Sequence, residues 1–105
     1  MMYTIAETEI FSRYVNDYWI EEERADFAVW IAEYYDTGDI IPGSGGCRKV
    51  RWSRKGRGKS GGMRVIYYNM LEDGVIWLLL IYAKNKNESI PAHLLKAIKE
   101  KITCQ

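Results

Sequence analysis

Eight cations crowd one stretch of the chain: Arg48, Lys49, Arg51, Arg54, Lys55, Arg57, Lys59 and Arg64, with no acidic residue between Asp39 and Glu72. Guanidinium and ammonium groups at that density suit a polyanion, because arginine grips phosphate bidentately and lysine supplies a compact point charge. Within the stretch, Gly56-Arg57-Gly58-Lys59-Ser60-Gly61 fits the G-x-G-x-x-G turn of a dinucleotide site. Gly58-Lys59-Ser60 matches the end of a phosphate-binding loop. Either match, in the right context, would mark a nucleotide-using protein.

The context excludes both. A dinucleotide turn needs a strand, the glycines, and then a helix whose N-terminus holds the pyrophosphate. Here the glycines lead into Arg64-Val65-Ile66-Tyr67-Tyr68, whose β-branched and aromatic residues predict a strand. No acidic residue stands about 20 positions further on to hold a ribose. The phosphate loop would need glycine at position 53, which is Ser53. What remains is a long cationic hairpin loop, which is either a solvated tip or a flexible docking element for a phosphate backbone.

The charge balance repeats this asymmetry along the whole chain. Residues 1–40 hold ten acidic and two basic side chains, residues 41–105 four acidic and thirteen basic. A net charge of +1 therefore conceals an acidic half and a basic half. Acidic helices neutralising a basic sheet would explain part of it, but not so many cations in one glycine-rich loop. With 105 residues, 48% of them hydrophobic, the chain is long enough for one domain, 1–105, with its own core. Cys47 and Cys104 have no C-x-x-C partner and no nearby histidine, so neither a metal site nor any cofactor is expected. Two unmatched cysteines suit a reduced compartment, and the N-terminus lacks a cleavable-signal pattern. The longest apolar run, Val75 to Ala83, is too short to cross a bilayer. The expected location is cytoplasmic, with no membrane partner.

The elements that must position these cations can be read from periodicity. Met2-Tyr3-Thr4-Ile5-Ala6 predicts a first short strand, and Thr8 caps a helix with Phe11, Tyr14, Val15 and Tyr18 on one face. A second helix begins within Glu21-Glu22-Glu23 and carries the stripe Phe27, Ala28, Ile31, Tyr34 and Tyr35, with Gly38 as its terminator. Residues 40–46 are rich in breakers and predict a loop. The period then changes to two: Val50 and Trp52 alternate with Lys49 and Arg51, a half-exposed strand with a cationic face. A strand from Met63 to Met70, a tight turn at Glu72-Asp73-Gly74, and an apolar strand from Val75 follow. The last strand is apolar on both faces, which predicts a central place in the sheet. Ser89 caps a final helix with Pro91 in its first turn, apolar at Leu94, Leu95, Ile98 and Ile102. Lys96, Lys99 and Lys101 read as its solvated face. Of Trp52, Tyr67, Tyr68 and Tyr82, most are expected in the core, with one exposed ring free to stack a base. The class is α+β in the order β-α-α-β-β-β-α.

That order, and the stretches R-K-V-R-W-S-R-K-G-R-G-K-S-G-G-M-R-V-I-Y-Y and I-W-L-L-L-I-Y-A-K-N-K-N-E, resemble the RelE/ParE superfamily of bacterial toxins. Within it they look most like the HigB-type, RelE-related branch. The two stretches cover about positions 47–88. The resemblance implies a compact microbial-RNase-type fold with a twisted, mainly antiparallel four-stranded sheet packed by helices. It implies a toxin of a type II toxin–antitoxin pair, acting as a ribosome-dependent mRNA endonuclease. The implied partners are the ribosome, its mRNA and a cognate antitoxin of helix-turn-helix type, with the toxin monomeric when free. The family's arginine at the start of the third strand falls on Arg64. Its second basic position, after the fourth strand, falls on Lys84 or Lys86. Lys49, Arg51, Arg54, Lys55, Arg57 and Lys59 match the segment that would dock on ribosomal RNA. RelE-like members often carry a tyrosine near the start of the last helix, where this chain has Ile90-Pro91-Ala92-His93. Either His93 substitutes, or another group serves, or the role is absent.

The chemistry implied is attack of a ribose 2′-OH on the adjacent phosphate. Arg64 suits the charge of the pentacoordinate phosphorane and is a poor base, because guanidinium hardly deprotonates. A lysine among like charges has its ammonium form disfavoured, which brings Lys84 or Lys86 nearer to acid–base work. His93 has a suitable intrinsic pKa and ranks behind the lysines, since a lone histidine at a helix start is more often structural or solvated. Two other classes stay open at this stage: a ParE-like, non-catalytic inhibitor of DNA gyrase, and a non-catalytic RNA- or DNA-binding module.

Overall fold

The computed structural model describes residues 2–53, 62–83 and 90–103. Strand β1 (Thr4–Glu7) runs directly into helix α1 (Glu9–Val15) through Thr8. The Thr8 hydroxyl accepts the Phe11 N–H at 3.0 Å and donates to the Leu79 carbonyl at 2.8 Å. One side chain thus caps the helix and ties it to the sheet. Helix α2 (Glu21–Glu33) starts with three carboxylates in its first turn, and Glu23 accepts the Ile20 N–H at 3.1 Å. Phe11 and Val15 of α1, and Phe27 and Ile31 of α2, are fully buried. The buried stripes are narrower than the sequence predicts, since Tyr14 and Tyr34 are exposed.

The sheet contains β2 (Asp39–Ile40), β3 (Arg48–Trp52), β4 (Met63–Met70) and β5 (Val75–Ala83) besides β1, in the order β1-β5-β4-β3-β2. It has five strands, not the expected four. The additional one, β2, lies where breakers predict only loop, and it exists because Asp39 and Ile40 pair with Lys49 and Arg48. Strand β1 is parallel to β5, and the other pairs are antiparallel. The turn before β5 is a single 3₁₀ turn, Leu71–Asp73, closed by Gly74.

Helix α3 (Ala92–Thr103) follows Pro91, whose carbonyl accepts the N–H groups of Leu94 and Leu95 at 3.0 and 3.3 Å. Ser89, expected as its cap, lies outside the described residues. Leu95 is buried and Ile98 and Ile102 half-buried, whereas Leu94 points outward.

Two hydrophobic layers result. On one face, Phe11, Val15, Trp19, Phe27 and Ile31 pack against Val65, Tyr67, Ile76, Leu78 and Ile81, with Val50 and Trp52 closing the side. Trp19, Phe27 and Trp52 meet with ring centroids 5.2–5.4 Å apart. On the other face, Leu95, Ile98 and Ile102 cover Cys47, Ile66, Leu79 and Trp77. Strand β5 faces both layers, as its two-sided apolar sequence requires. A bulge, at which Ile66 pairs with Leu80 and Tyr67 with Leu78, leaves Leu79 unpaired in the ladder, and its carbonyl is the one that Thr8 takes.

Two glycines have reasons the sequence does not display. Gly38 is not a helix terminator, for α2 ends at Glu33. Its N–H donates to the Tyr67 hydroxyl at 3.0 Å, and a Cβ there would stand 2.6 Å from that oxygen. Gly62 has φ +82°, and a Cβ would stand 2.6 Å from the Trp52 carbonyl, so only glycine fits where the chain re-enters the sheet before β4.

Candidate active site

Alternation along the strands sorts the candidate residues between the two faces. On β3, Val50 and Trp52 enter the α1/α2 layer, which places Lys49 and Arg51 at positions facing the other way. On β4, Met63, Val65 and Tyr67 belong to the same layer, so Arg64, Ile66 and Tyr68 lie on the α3 side. Tyr82 of β5 packs on that side too. The register then aligns three of these residues in one row: Arg51 pairs with Arg64, and Arg64 with Tyr82. Directly opposed residues in antiparallel strands have Cβ atoms roughly 5 Å apart, so the row is one continuous surface.

Helix α3 covers the opposite end of this face. Its contacts run to the loop entering β3 and to Tyr68: the Cys47 thiol reaches the Leu95 carbonyl at 3.9 Å, and Lys99 Nζ lies 5.1 Å from the Tyr68 ring centroid. Tyr68 and Arg64 are four residues apart on β4, about 13 Å at the usual strand rise. The Arg51–Arg64–Tyr82 row is thus displaced along the sheet from the Tyr68 contact.

The electrostatics of the row are specific. Two guanidinium groups on directly opposed residues repel each other, and both already have interaction partners in the structure. An added phosphate would relieve that repulsion. Burial pushes the Tyr82 hydroxyl above the ordinary tyrosine range, with the charge of Arg64 pulling the other way. Tyr82 is therefore a protonated hydrogen-bond donor at neutral pH, within the field of a fixed cation. Lys49, exposed, stands opposite Asp39 of β2 in the register.

Of the other candidates, His93 lies exposed in the first turn of α3. The described contacts seat this helix against the loop entering β3, with Ala92 beside Gly43, and Lys96 and Lys99 beside Gly45. Lys84, Lys86, Arg54, Lys55, Arg57 and Lys59 lie outside the described residues. No cluster of three or more His, Cys, Asp or Glu side chains able to hold a metal occurs among the described residues. Burial raises the Cys47 thiol above the usual range, countered by Ser44 and Lys99, which makes it a core group and not a nucleophile.

Among solved structures, the chain is similar to an arginine-to-alanine double mutant of the E. coli toxin RelE in the free state, with a TM-score of 0.62 at 15% identity. The match covers 94% of this chain and 98% of that one. The fold is RelE-like. At this identity the likeness concerns the backbone path, and the roles of side chains rest on this chain's own geometry. No protein-family model matches the sequence. No described helix is long and apolar enough to cross a membrane.

Within the RelE-like sheet, sequence reasoning missed two residues. Tyr82 reads as one of several strand aromatics, and only the register shows it beside Arg64. Lys99 reads as part of a solvated face, yet it is half-buried against Tyr68 and Gly45. Its i+4 spacing from the buried Leu95 was the available signal.

Proposed function

We propose that this chain is the toxin of a toxin–antitoxin pair, and that it acts as an endoribonuclease that enters the ribosomal A site and cuts mRNA there. The observation that carries the reading is the Arg51–Arg64–Tyr82 row on a RelE-like sheet. It supplies phosphate-binding forks and a protonated hydroxyl on one surface.

The reaction is metal-independent transesterification. A base takes the proton of the 2′-OH, and the 2′-oxygen attacks the adjacent phosphorus. The bond to the 5′-oxygen breaks and an acid protonates it, leaving a 2′,3′-cyclic phosphate and a 5′-OH. Arg64 stabilises the extra charge of the phosphorane; such donors are worth about 2.7–4 kcal/mol each. Tyr82, held protonated by burial, donates to the same phosphate or to the departing 5′-oxygen. The base is assigned to Lys84 or Lys86, which follow directly after β5 in sequence, and His93 is the third candidate. Arg51 and Lys49, with Arg54, Lys55, Arg57 and Lys59, hold ribosomal RNA. The antitoxin is a helix-turn-helix protein, the free toxin is a cytoplasmic monomer, and the branch is HigB-type.

Induction in bacteria tests this reading. Wild type should arrest growth and produce new mRNA 5′ ends at codon-spaced positions, and Arg64→Ala should produce neither. Arrest without new ends, accompanied by DNA-damage signalling, would move the target to gyrase. Absence of toxicity would leave a binding module.

A further inference from the structure

The bulge in β5 decides which side chain stands beside Arg64. Before it, Ile76 and Leu78 face the α1/α2 layer; after it, Ile81 does. Leu79, Leu80 and Tyr82 all lie on the α3 side, so one added residue, Leu79, reverses the alternation of the strand. Carried on without the bulge, the register that pairs Tyr67 with Leu78 would set Ile81 opposite Arg64 and turn Tyr82 toward the helices. The bulge is what gives the row its hydroxyl.

Thr8 sits where the bulge has to be held. The ladder of β1 with β5 ends at Glu7 and Leu78, immediately before the inserted residue. Thr8 then bonds two successive carbonyls: its N–H donates to Leu78 at 3.0 Å and its hydroxyl to Leu79 at 2.8 Å. Leu79 is fully buried, where a carbonyl left without a donor is costly. The same hydroxyl oxygen accepts the Phe11 N–H at 3.0 Å, and the Phe11 ring is fixed in the core. Capping α1 requires only an acceptor, which aspartate also carries, and glycine is tolerated there with no side chain at all. The bond to Leu79 requires a donor, which neither of them has. Threonine supplies both.

We propose that Thr8 is a positioning residue that holds the β5 bulge at Leu79 and thereby sets Tyr82 beside Arg64. Its effect on cleavage rests on the nuclease reading; its effect on the register does not.

Three variants of the full chain test this. Thr8→Asp keeps the helix cap and loses the donor, Thr8→Gly loses the donor without adding charge, and Thr8→Ser keeps both bonds. Direct cross-strand nuclear Overhauser contacts should join Arg64 to Tyr82 in wild type and Thr8→Ser. In Thr8→Asp and Thr8→Gly they should fade in favour of contacts between Arg64 and Ile81, while circular dichroism still shows a folded protein. Single-turnover cleavage should fall about tenfold in the two donorless variants and stay within about twofold of wild type in Thr8→Ser. Tyr82→Phe should cost less than about twofold when added to Thr8→Asp, because the hydroxyl is already displaced. A merely structural role for Thr8 would instead leave the Tyr82→Phe loss as large as in wild type, and that result would overturn the proposal. So would an unchanged Arg64–Tyr82 contact in Thr8→Asp and Thr8→Gly, or loss of the fold in both. A shifted register in a protein that cleaves nothing would support the proposal and contradict the nuclease reading.

Discussion

On the face of the sheet packed by α1 and α2, Val65, Tyr67 and Ile76 are completely buried. On the α3 face, β4 and β5 carry Arg64, Tyr68 and Tyr82 half-exposed, and neighbouring β3 carries Arg51 exposed. The first face is closed by aromatic packing and by hydrogen bonds such as Tyr67 Oη to the Tyr35 carbonyl, at 2.7 Å. The second pairs two arginines directly across neighbouring strands, like charges that repel each other, and each of them has a further interaction partner in the structure. The comparison separates two expectations: changes on the helix-packed face should act on folding, and, under the proposed function, changes on the cationic row should act on RNA cleavage.

Phe27→Ala should break that division most severely on the folding side. It removes a fully buried ring that touches Trp19, Trp30 and Trp52, and should cost about 3–5 kcal/mol in a chemical denaturation experiment. Arg64→Ala should act in the opposite sense, lowering single-turnover cleavage by about 10²–10³-fold with no loss of unfolding midpoint. Tyr82→Phe should lower cleavage by about tenfold to a hundredfold. The raised Tyr82 pKa also means that wild-type cleavage should show no alkaline loss attributable to this group until above the ordinary tyrosine range; a rate–pH profile of both proteins checks this.

The smallest effect lies outside both faces, where Arg24 Nε donates to Glu7 Oε2 at 3.0 Å and the Ser12 hydroxyl donates to Glu7 Oε1 at 2.7 Å. Burial alone would raise the Glu7 pKa, but the hydrogen bonds from Arg24 and Ser12 and the Arg24 charge outweigh it, so the carboxyl lies below the usual range. A depressed folded-state pKa stabilises above the unfolded value and loses that contribution as pH falls through the folded one. Glu7→Gln should therefore cost about 1 kcal/mol near neutral pH, with the difference from wild type closing in acid.

The helix-packed face was largely legible in the sequence because its signals are local. The Thr8 cap, the carboxylates opening α2, the alternation of Val50 with Lys49 and the two-sided apolar strand β5 each depend on neighbours within a few residues. What was hidden depends on pairing between distant segments. Strand β2 consists of two residues beside a breaker-rich loop, and only its ladder with β3 makes it a strand. Gly38 looks like a helix end, but its reason is the hydroxyl of Tyr67, 29 residues away. The site divides in the same way. Arg64 was marked by a family likeness, whereas Tyr82 joins it only through a register that passes a bulge at Leu79.

The central claim is that the chain cuts mRNA in the ribosomal A site through the row centred on Arg64. The most direct test mixes purified protein with ribosomes programmed with a defined message and maps the products. The account predicts one cut within the A-site codon, leaving a 2′,3′-cyclic phosphate and a 5′-OH, lost in Arg64→Ala and absent without ribosomes. An intact message with the wild-type protein, or an undiminished cut with Arg64→Ala, would contradict it.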